Sequence, residues 1–198
     1  MPKKDGHLTR EAILKVAEEL FSENGFDGTS VNAIAKAAGV NKSLIYYHFK
    51  DKKDLIRSLI EQIMADIEQM TGGPFDKAEH EEIHHNGGHS DMVINEIRVM
   101  EKWKRIISVM LMESLKDSND DSFIFDCAAM VYRRHLGIEM GDDNPEIRKQ
   151  MVYEFFTGFI PIISFISLQD KWCRHFKYSK EELRNYFFEA FQKTHFQH

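Results

Sequence analysis

The chain has little cysteine: 198 residues hold only Cys127 and Cys173, far apart and in no Cys-x-x-Cys pattern. That excludes a disulfide framework and a zinc finger, and leaves a reducing compartment as the expectation. It also lacks a long apolar run. Phe155–Leu168 is interrupted by Thr157, Gly158, Ser164 and Ser167 and falls short of the roughly 18 residues a membrane span needs. The N-terminal Met1-Pro2-Lys3-Lys4-Asp5-Gly6-His7 is followed by no apolar stretch, so a soluble, cytoplasmic protein with no membrane partner is expected. Two catalytic signatures are missing too: there is no Gly-rich phosphate loop and no Gly-x-Ser-x-Gly, and no facing carboxylate pair is evident. These gaps argue against an enzyme, and no cofactor is expected. No alternating strand pattern occurs anywhere, and the predicted fold class is all-α.

The 42% apolar content is ample for a core, and the charge is unevenly placed. Residues 1–57 carry ten Lys/Arg against eight Asp/Glu, a net +2, which leaves 16 against 24, or −8, for the rest. An acidic chain with a basic front directs any phosphate partner to the front.

In that front, Thr9 to Asn24 reads as an amphipathic helix, with Thr9 as cap, Ile13, Ala17, Leu20 and Phe21 as its stripe, and Gly25 as the stop. Phe26–Ser30 is a turn with a second cap. Val31, Ile34, Ala35 and Ala38 then line a short helix ending at Gly39. Asn41 caps a third helix starting near Lys42, which places Ile45 and Phe49 on a core side and Lys42, Ser43, Tyr46 and Tyr47 on the other. His48 falls beside the core arc. Helices joined by Ala38-Gly39-Val40 have helix-turn-helix spacing, in which the second of the pair enters the DNA major groove.

Thr29-Ser30-Val31-Asn32-Ala33-Ile34-Ala35-Lys36-Ala37-Ala38-Gly39-Val40, then Ile45-Tyr46-Tyr47-His48-Phe49, then Lys52 and Leu55, closely resembles the N-terminal signature of the TetR family of one-component transcriptional repressors. The likeness spans about Thr9 to Leu59. It implies an all-helical homodimer that binds a double-stranded DNA operator: a helix-turn-helix domain over residues 1–57, and a helical ligand-binding and dimerisation domain over residues 58–198. It also implies a repressor released by a small-molecule effector of unknown identity. Residue by residue, it implies DNA contacts at Ser30, Asn32, Lys42, Ser43, Tyr46, Tyr47, His48 and Lys52. Leu44 departs from the pattern, since Ser or Thr is usual there, and offers at best an apolar contact to a thymine methyl.

Lys52 to Met70 continues as a long helix, capped by Asp51 and striped by Ile56, Leu59, Ile60, Ile63 and Ile67, and links front to rest. The segment to His89 is polar and rich in histidine. On a helix, His80/His84 and His85/His89 would be i,i+4 pairs able to chelate zinc or nickel, although Asn86-Gly87-Gly88 interrupts the second. A solvated linker is the alternative. Long helices are predicted at 92–116, 122–140, 145–176 and 180–196, with a kink at Pro161. Trp103, Met110, Phe125, Met130, Tyr132, Phe155 and Phe159 are candidates for an apolar pocket or for ordinary core. Arg98, Lys104, Glu113, Arg133, Arg134 and His135 are its candidate polar handles. Val152, Phe156, Ile163, Leu183, Phe187 and Phe191 are candidates for a dimer contact. The competing functional readings are a metal-responsive regulator and a helical interaction protein that no longer reads DNA.

Overall fold

In a computed structural model, residues 3–71, 89–116, 122–138, 141 and 143–195 are described. Among them all regular structure is helical: α1 Lys3–Gly28, α2 Val31–Ala37, α3 Lys42–His48, α4 Lys52–Thr71, α5 His89–Lys102, α6 Lys104–Ser114, α7 Phe123–Leu136, α8 Pro145–Tyr153, a wide π turn Glu154–Phe159, α9 Ile160–Phe176 and α10 Lys180–His195.

Helix α1 starts before Thr9, so Thr9 is not its cap; nothing from Lys3 to Leu8 stops a helix strongly enough to delay the start. Its far end follows expectation: Gly25 takes the left-handed conformation, at φ +71°, which a side chain would strain. Ile13, Leu14, Ala17 and Phe21 are fully buried. The central helix is α4. Asp51 accepts from the Asp54 N–H at 2.8 Å, and Asp54 accepts from the Lys50 N–H at 2.8 Å, a reciprocal cap. From there Leu55, Ile56, Leu59, Ile60, Ile63, Met64 and Ile67 are buried along its length. One apolar helix thus runs continuously from the front three helices into the C-terminal ones.

The helix predicted over 92–116 is two. The chain breaks at Trp103, which leaves helical geometry (φ −96°, ψ 9°), while its indole N–H donates to Asp66 of α4 at 2.9 Å. An anchored indole, absent from any local signal, sets the break. Helix α7 ends at Leu136, short of the predicted Met140, because Gly137 turns left-handed. Its first N–H groups are capped from outside: the Ser114 hydroxyl, not that of Ser122, accepts from Ile124 N–H at 3.0 Å.

At Pro161 the helix widens. Ile160 N–H bonds to Phe155, five residues back, so the register has already shifted when the residue with no N–H arrives. Gly158 sits in this turn because His195 of α10 packs on it; a Cβ there would lie 2.7 Å from the imidazole. The same ring stacks on Tyr153, 5.6 Å between centroids, and lies 3.1 Å from the Thr157 hydroxyl and 3.3 Å from the Glu154 carboxylate.

Helices α9 and α10 pack through Phe165 stacked on Phe187 at 4.1 Å. A charged seam ties them to α5 and α6: Arg184 donates to Glu101 at 2.6 and 2.7 Å, Gln169 donates to the same carboxylate, and Lys104 and Lys180 both bond to Asp170. Those two ammonium groups hold the Asp170 carboxyl down at about 2. Its folded value lies below its ordinary 3.8, so the stabilisation is present above about pH 4 and is lost as pH falls toward 2. Asp170→Asn will therefore lower the thermal midpoint at pH 7, and the gap to the parent will close over that acid range in thermal melts followed by circular dichroism.

Candidate nucleic-acid interface

Helices α2 and α3 present one exposed polar surface at the front of the molecule. The Ser30 hydroxyl oxygen accepts from Ala33 N–H at 3.1 Å and caps α2, leaving its own proton free to donate outward. The turn closes through Ala38 N–H to Ile34 at 2.8 Å and Val40 N–H to Ala35 at 3.0 Å, with Gly39 left-handed at φ +67°. Asn41 then accepts from Leu44 N–H at 2.8 Å, and α3 begins at Lys42 as predicted. Ile45 and Phe49 are each 1% exposed, and the Arg10 guanidinium lies 5.1 Å from the Phe49 ring. These two side chains fix the rotation of α3 about its axis.

The opposite side faces outward. Tyr47 is 80% exposed and Tyr46 49%, and the Lys42 ammonium lies 5.7 Å from the Tyr46 ring. Ser30, Asn32, Lys42 and Ser43 are exposed beside them. His48 is half-buried, with its ring edge-on to Tyr47 at 5.0 Å and tilted against Phe49 at 6.3 Å. Leu44 is half-buried as well. Such a surface can give phosphates a cation and hydroxyls, and give base edges two phenols and an amide.

Lys52 is placed differently from the other seven candidates. Its ammonium donates to the carbonyls of Phe26 at 2.8 Å and Thr29 at 3.1 Å and lies 4.0 Å from the Phe26 ring. Burial pushes its pKa below the ordinary lysine value, with Asp27 and Glu113 acting the other way. It is a clamp from α4 onto the α1–α2 turn. Thr29 completes that turn: it is 2% exposed and its hydroxyl lies 3.0 Å from the Leu20 carbonyl and 2.9 Å from that of Gly25. The sequence marks Thr29 only as part of a motif and a turn, and Phe26 only as the first residue of that turn.

Among the described residues the pocket candidates differ in their surroundings. Met110, Tyr132 and Phe159 are buried in the core, Trp103, Met130 and Phe155 pack partly buried against it, and Phe125 is 61% exposed while touching Phe155 at 5.5 Å. One cleft of about 510 Å³ is lined instead by Glu101, Lys104, Gln169, Lys180, Glu181 and Arg184, and an open one of about 700 Å³ by Leu168, Lys171, Trp172, Arg174, His175 and Phe176. Of the polar handles, Lys104 belongs to the charged seam and Glu113 is paired with Lys116. Arg98 is exposed beside Asn95, and Arg133 is exposed on α7. The side chains of Arg134 and His135 lie outside the described residues.

The dimer candidates divide by burial within the protomer. Ile163 and Phe191 are spent inside the protomer, 1% and 4% exposed. Leu183 and Phe187 are half-buried against the same core. Val152 and Phe156 are exposed, as are Leu168, Trp172, Phe176, Tyr178 and Tyr186. Helix spacing alone could not tell which face of α9 and α10 meets the other. His80, His84 and His85 lie outside the described residues, as does the side chain of His89.

Residues 13–59 match the family model for bacterial regulatory proteins of the tetR family. A curated relative, the HTH-type transcriptional regulator AcrR of Shigella flexneri, is 46% identical over 68 residues, 34% of this chain and 32% of its own length. The HTH-type transcriptional repressor BepR of Brucella suis is 45% identical over 58 residues, 29% of this chain and 28% of its own. The likeness thus spans about a third of these relatives. Solved structures cover the whole fold. The FadR regulator of Bacillus subtilis, in complex with stearoyl-CoA, aligns at TM-score 0.56 with 22% identity over 91% of this chain and 96% of that one. NalD of Pseudomonas aeruginosa, secondary repressor of the MexAB-OprM efflux pump, aligns at 0.55 with 20% identity over 97% and 98%. Both are two-part helical folds of the kind expected.

The clamp geometry makes a distinction that sequence spacing does not. Lys52→Met will cost about 1–3 kcal/mol of stability, because two buried carbonyls lose a charged donor. Asn41→Ala will cost about 1 kcal/mol through the lost cap. Chemical denaturation of the two variants checks both.

Proposed function

Since the chain belongs to the TetR family of bacterial regulatory proteins through its residues 13–59, we propose that it is a DNA-binding transcriptional regulator, a repressor released from its operator by a largely apolar small molecule. The observation that carries this reading is the outward face of α3. A seven-residue helix pinned by Ile45 and Phe49 leaves Tyr47 80% and Tyr46 49% exposed beside Lys42. Large aromatic side chains on a rigid, exposed helix need an occupant, and a major groove offers one. In this reading Ser30, Asn32, Lys42, Ser43, Tyr46 and Tyr47 touch DNA, His48 orients Tyr47, and Lys52 holds the turn rather than a phosphate. The recognition domain ends near residue 57, within α4, and the chain is a regulator rather than a catalyst, acting in the cytoplasm where its operator is.

A homodimer supplies the second half-site. Pro145–Phe176 is long and apolar enough, by length and composition, to cross a membrane, and only 28% of its most apolar window is buried within the protomer. Ile163, Phe165 and Ile166 engage the protomer's own helices, while Val152, Phe156, Leu168, Trp172 and Phe176 remain exposed. Lys171, Arg174 and His175 flank Trp172, which suits a wet protein interface better than hydrocarbon. We assign this face to a second copy, isologously paired.

Selection of bound fragments from the source genome tests the function. One sequence class should be enriched, and recovery of none sinks the reading. On a selected duplex, Lys42→Ala will lower the slope of log affinity against log salt by about one, while Lys52→Met leaves it unchanged. Phe156→Glu combined with Trp172→Glu will convert the dimer to monomer in sedimentation and abolish specific binding. A double variant that sediments as the parent does refutes the assigned face.

A further inference from the structure

We propose that Phe123, in the first turn of α7, is a positioning residue for the recognition domain: through Phe26 it fixes the α1–α2 turn, and so makes α7 a route by which the C-terminal helices alter DNA fit. The inference rests on the DNA-binding reading above and specifies how that site is regulated.

Phe26 is the centre of the contact. It is 6% exposed, stacks on Phe21 at 5.7 Å and meets the Phe123 ring edge-on at 5.6 Å, with the Lys52 ammonium 4.0 Å from its ring. Its carbonyl accepts from Lys52 and from Thr29 N–H at 3.2 Å. The next residue along is Ser30, the cap of α2. The start of α2, and with it the turn into α3, therefore hangs from the placement of one phenyl ring.

Phe123 itself is 3% exposed and is held at the α6–α7 junction, where Ile124 N–H bonds to Ser114. A second contact crosses the same seam: Lys116, two residues past the end of α6, reaches Asp27 at 2.7 Å and Glu113 at 2.6 Å. Glu113 is 6% exposed, and its second carboxylate oxygen is buried with no partner among the described residues. A carboxylate so placed is costly to leave unpaired, which keeps Lys116 at the seam. Arg57 of α4 joins α7 at Asp126, 3.2 Å. Farther along α7, Phe125 touches Phe155 at 5.5 Å and the Tyr132 hydroxyl donates to Met151 at 3.0 Å, next to the π turn. A single helix thus touches the recognition domain, at Phe26, through Phe123, and the C-terminal region, at Phe155 and Met151, through Phe125 in the same first turn and Tyr132 farther along. Displacement of α7 by a molecule wedged at Phe155 and Met151 moves the seat of Phe26 without any contact to DNA.

The test uses the full chain free of DNA and then with a genomically selected duplex. Phe123→Leu keeps the site apolar but shortens the contact. Amide exchange in residues 26–34 should rise about tenfold while exchange in α9 and α10 stays at the parent rate. Affinity for the selected duplex should fall about tenfold, while affinity for an unrelated duplex of equal length changes less than about twofold. A merely structural role would raise exchange throughout and weaken both duplexes alike. If Phe123→Leu does not fold, Glu113→Gln with Lys116→Ala removes the second contact without stranding a buried charge, and should raise exchange over the same residues by about threefold. Unchanged exchange at 26–34 in the variants that fold overturns the inference. A parent chain that selects no duplex overturns the DNA-binding reading instead, and the exchange pattern still decides whether α7 seats the turn.

Discussion

Everything at the front of this molecule depends on a short helix being held by two side chains. Seven residues cannot sustain a helix in water, because nucleation is unfavourable and propagation too brief to offset it. Helix α3 exists because Ile45 and Phe49 are buried to 1% exposure and because Asn41 satisfies its first N–H groups. Once those anchors are fixed, the directions of Tyr46 and Tyr47 follow from the helical repeat. Rigidity here is borrowed from α1 and α4, whose own apolar stripes are far longer.

The electrostatics are arranged to the same end. With residues 58–198 at net −8, the bulk of the chain repels a polyanion, and only the front, at +2, admits one. Modest positive charge suffices when the rest of the surface excludes wrong orientations. It also explains how Lys52 can be withdrawn from the surface: Lys42 remains outward on α3, while the clamp on Phe26 and Thr29 needs a donor that can satisfy two carbonyls at once.

Local chemistry was legible in the sequence at most places where it is carried by neighbours in the chain, Thr9 and Gly137 being the exceptions. Gly25, Gly39, Ser30, Asn41 and Asp51 were readable as stops and caps, and each takes that place. The long stripe of α4 was readable by its period. What could not be read is set by residues distant in sequence. The break at Trp103 comes from Asp66, the fate of Lys52 from Phe26 and Thr29, and the need for Gly158 from His195. Ile163 and Phe191 have the same composition as an interface and are core only because α9 and α10 meet on that side. At the interface the residue types were evident, whereas the turn that positions them was not, since a buried Phe and Thr in a loop carry no signal of what they hold.

That distinction bears on how such a fold can be switched. A regulator must hold its recognition helix firmly enough to bind, yet let a bound molecule undo the placement, and a ligand shifts an equilibrium only by its differential affinity for the two states. Burying the whole front against the C-terminal helices would set a difference no small molecule could overcome. Here α1 packs along α6, while among the described residues the α1–α2 turn itself is joined to the C-terminal helices by one aromatic pair, Phe26 with Phe123, and by the Asp27–Lys116 ion pair, in which Asp27 is 75% exposed; farther along, Arg57 and Asp126 are both more than a third exposed. Exposed pairs of that kind contribute little energy and specify geometry instead. At the α1–α2 turn the buried share of the contact falls to a phenyl edge, which loses its partner after a shift of an ångström or so, because dispersion falls off steeply with separation. The front domain is then stable by virtue of its own core and correctly aimed by virtue of a contact weak enough to lose.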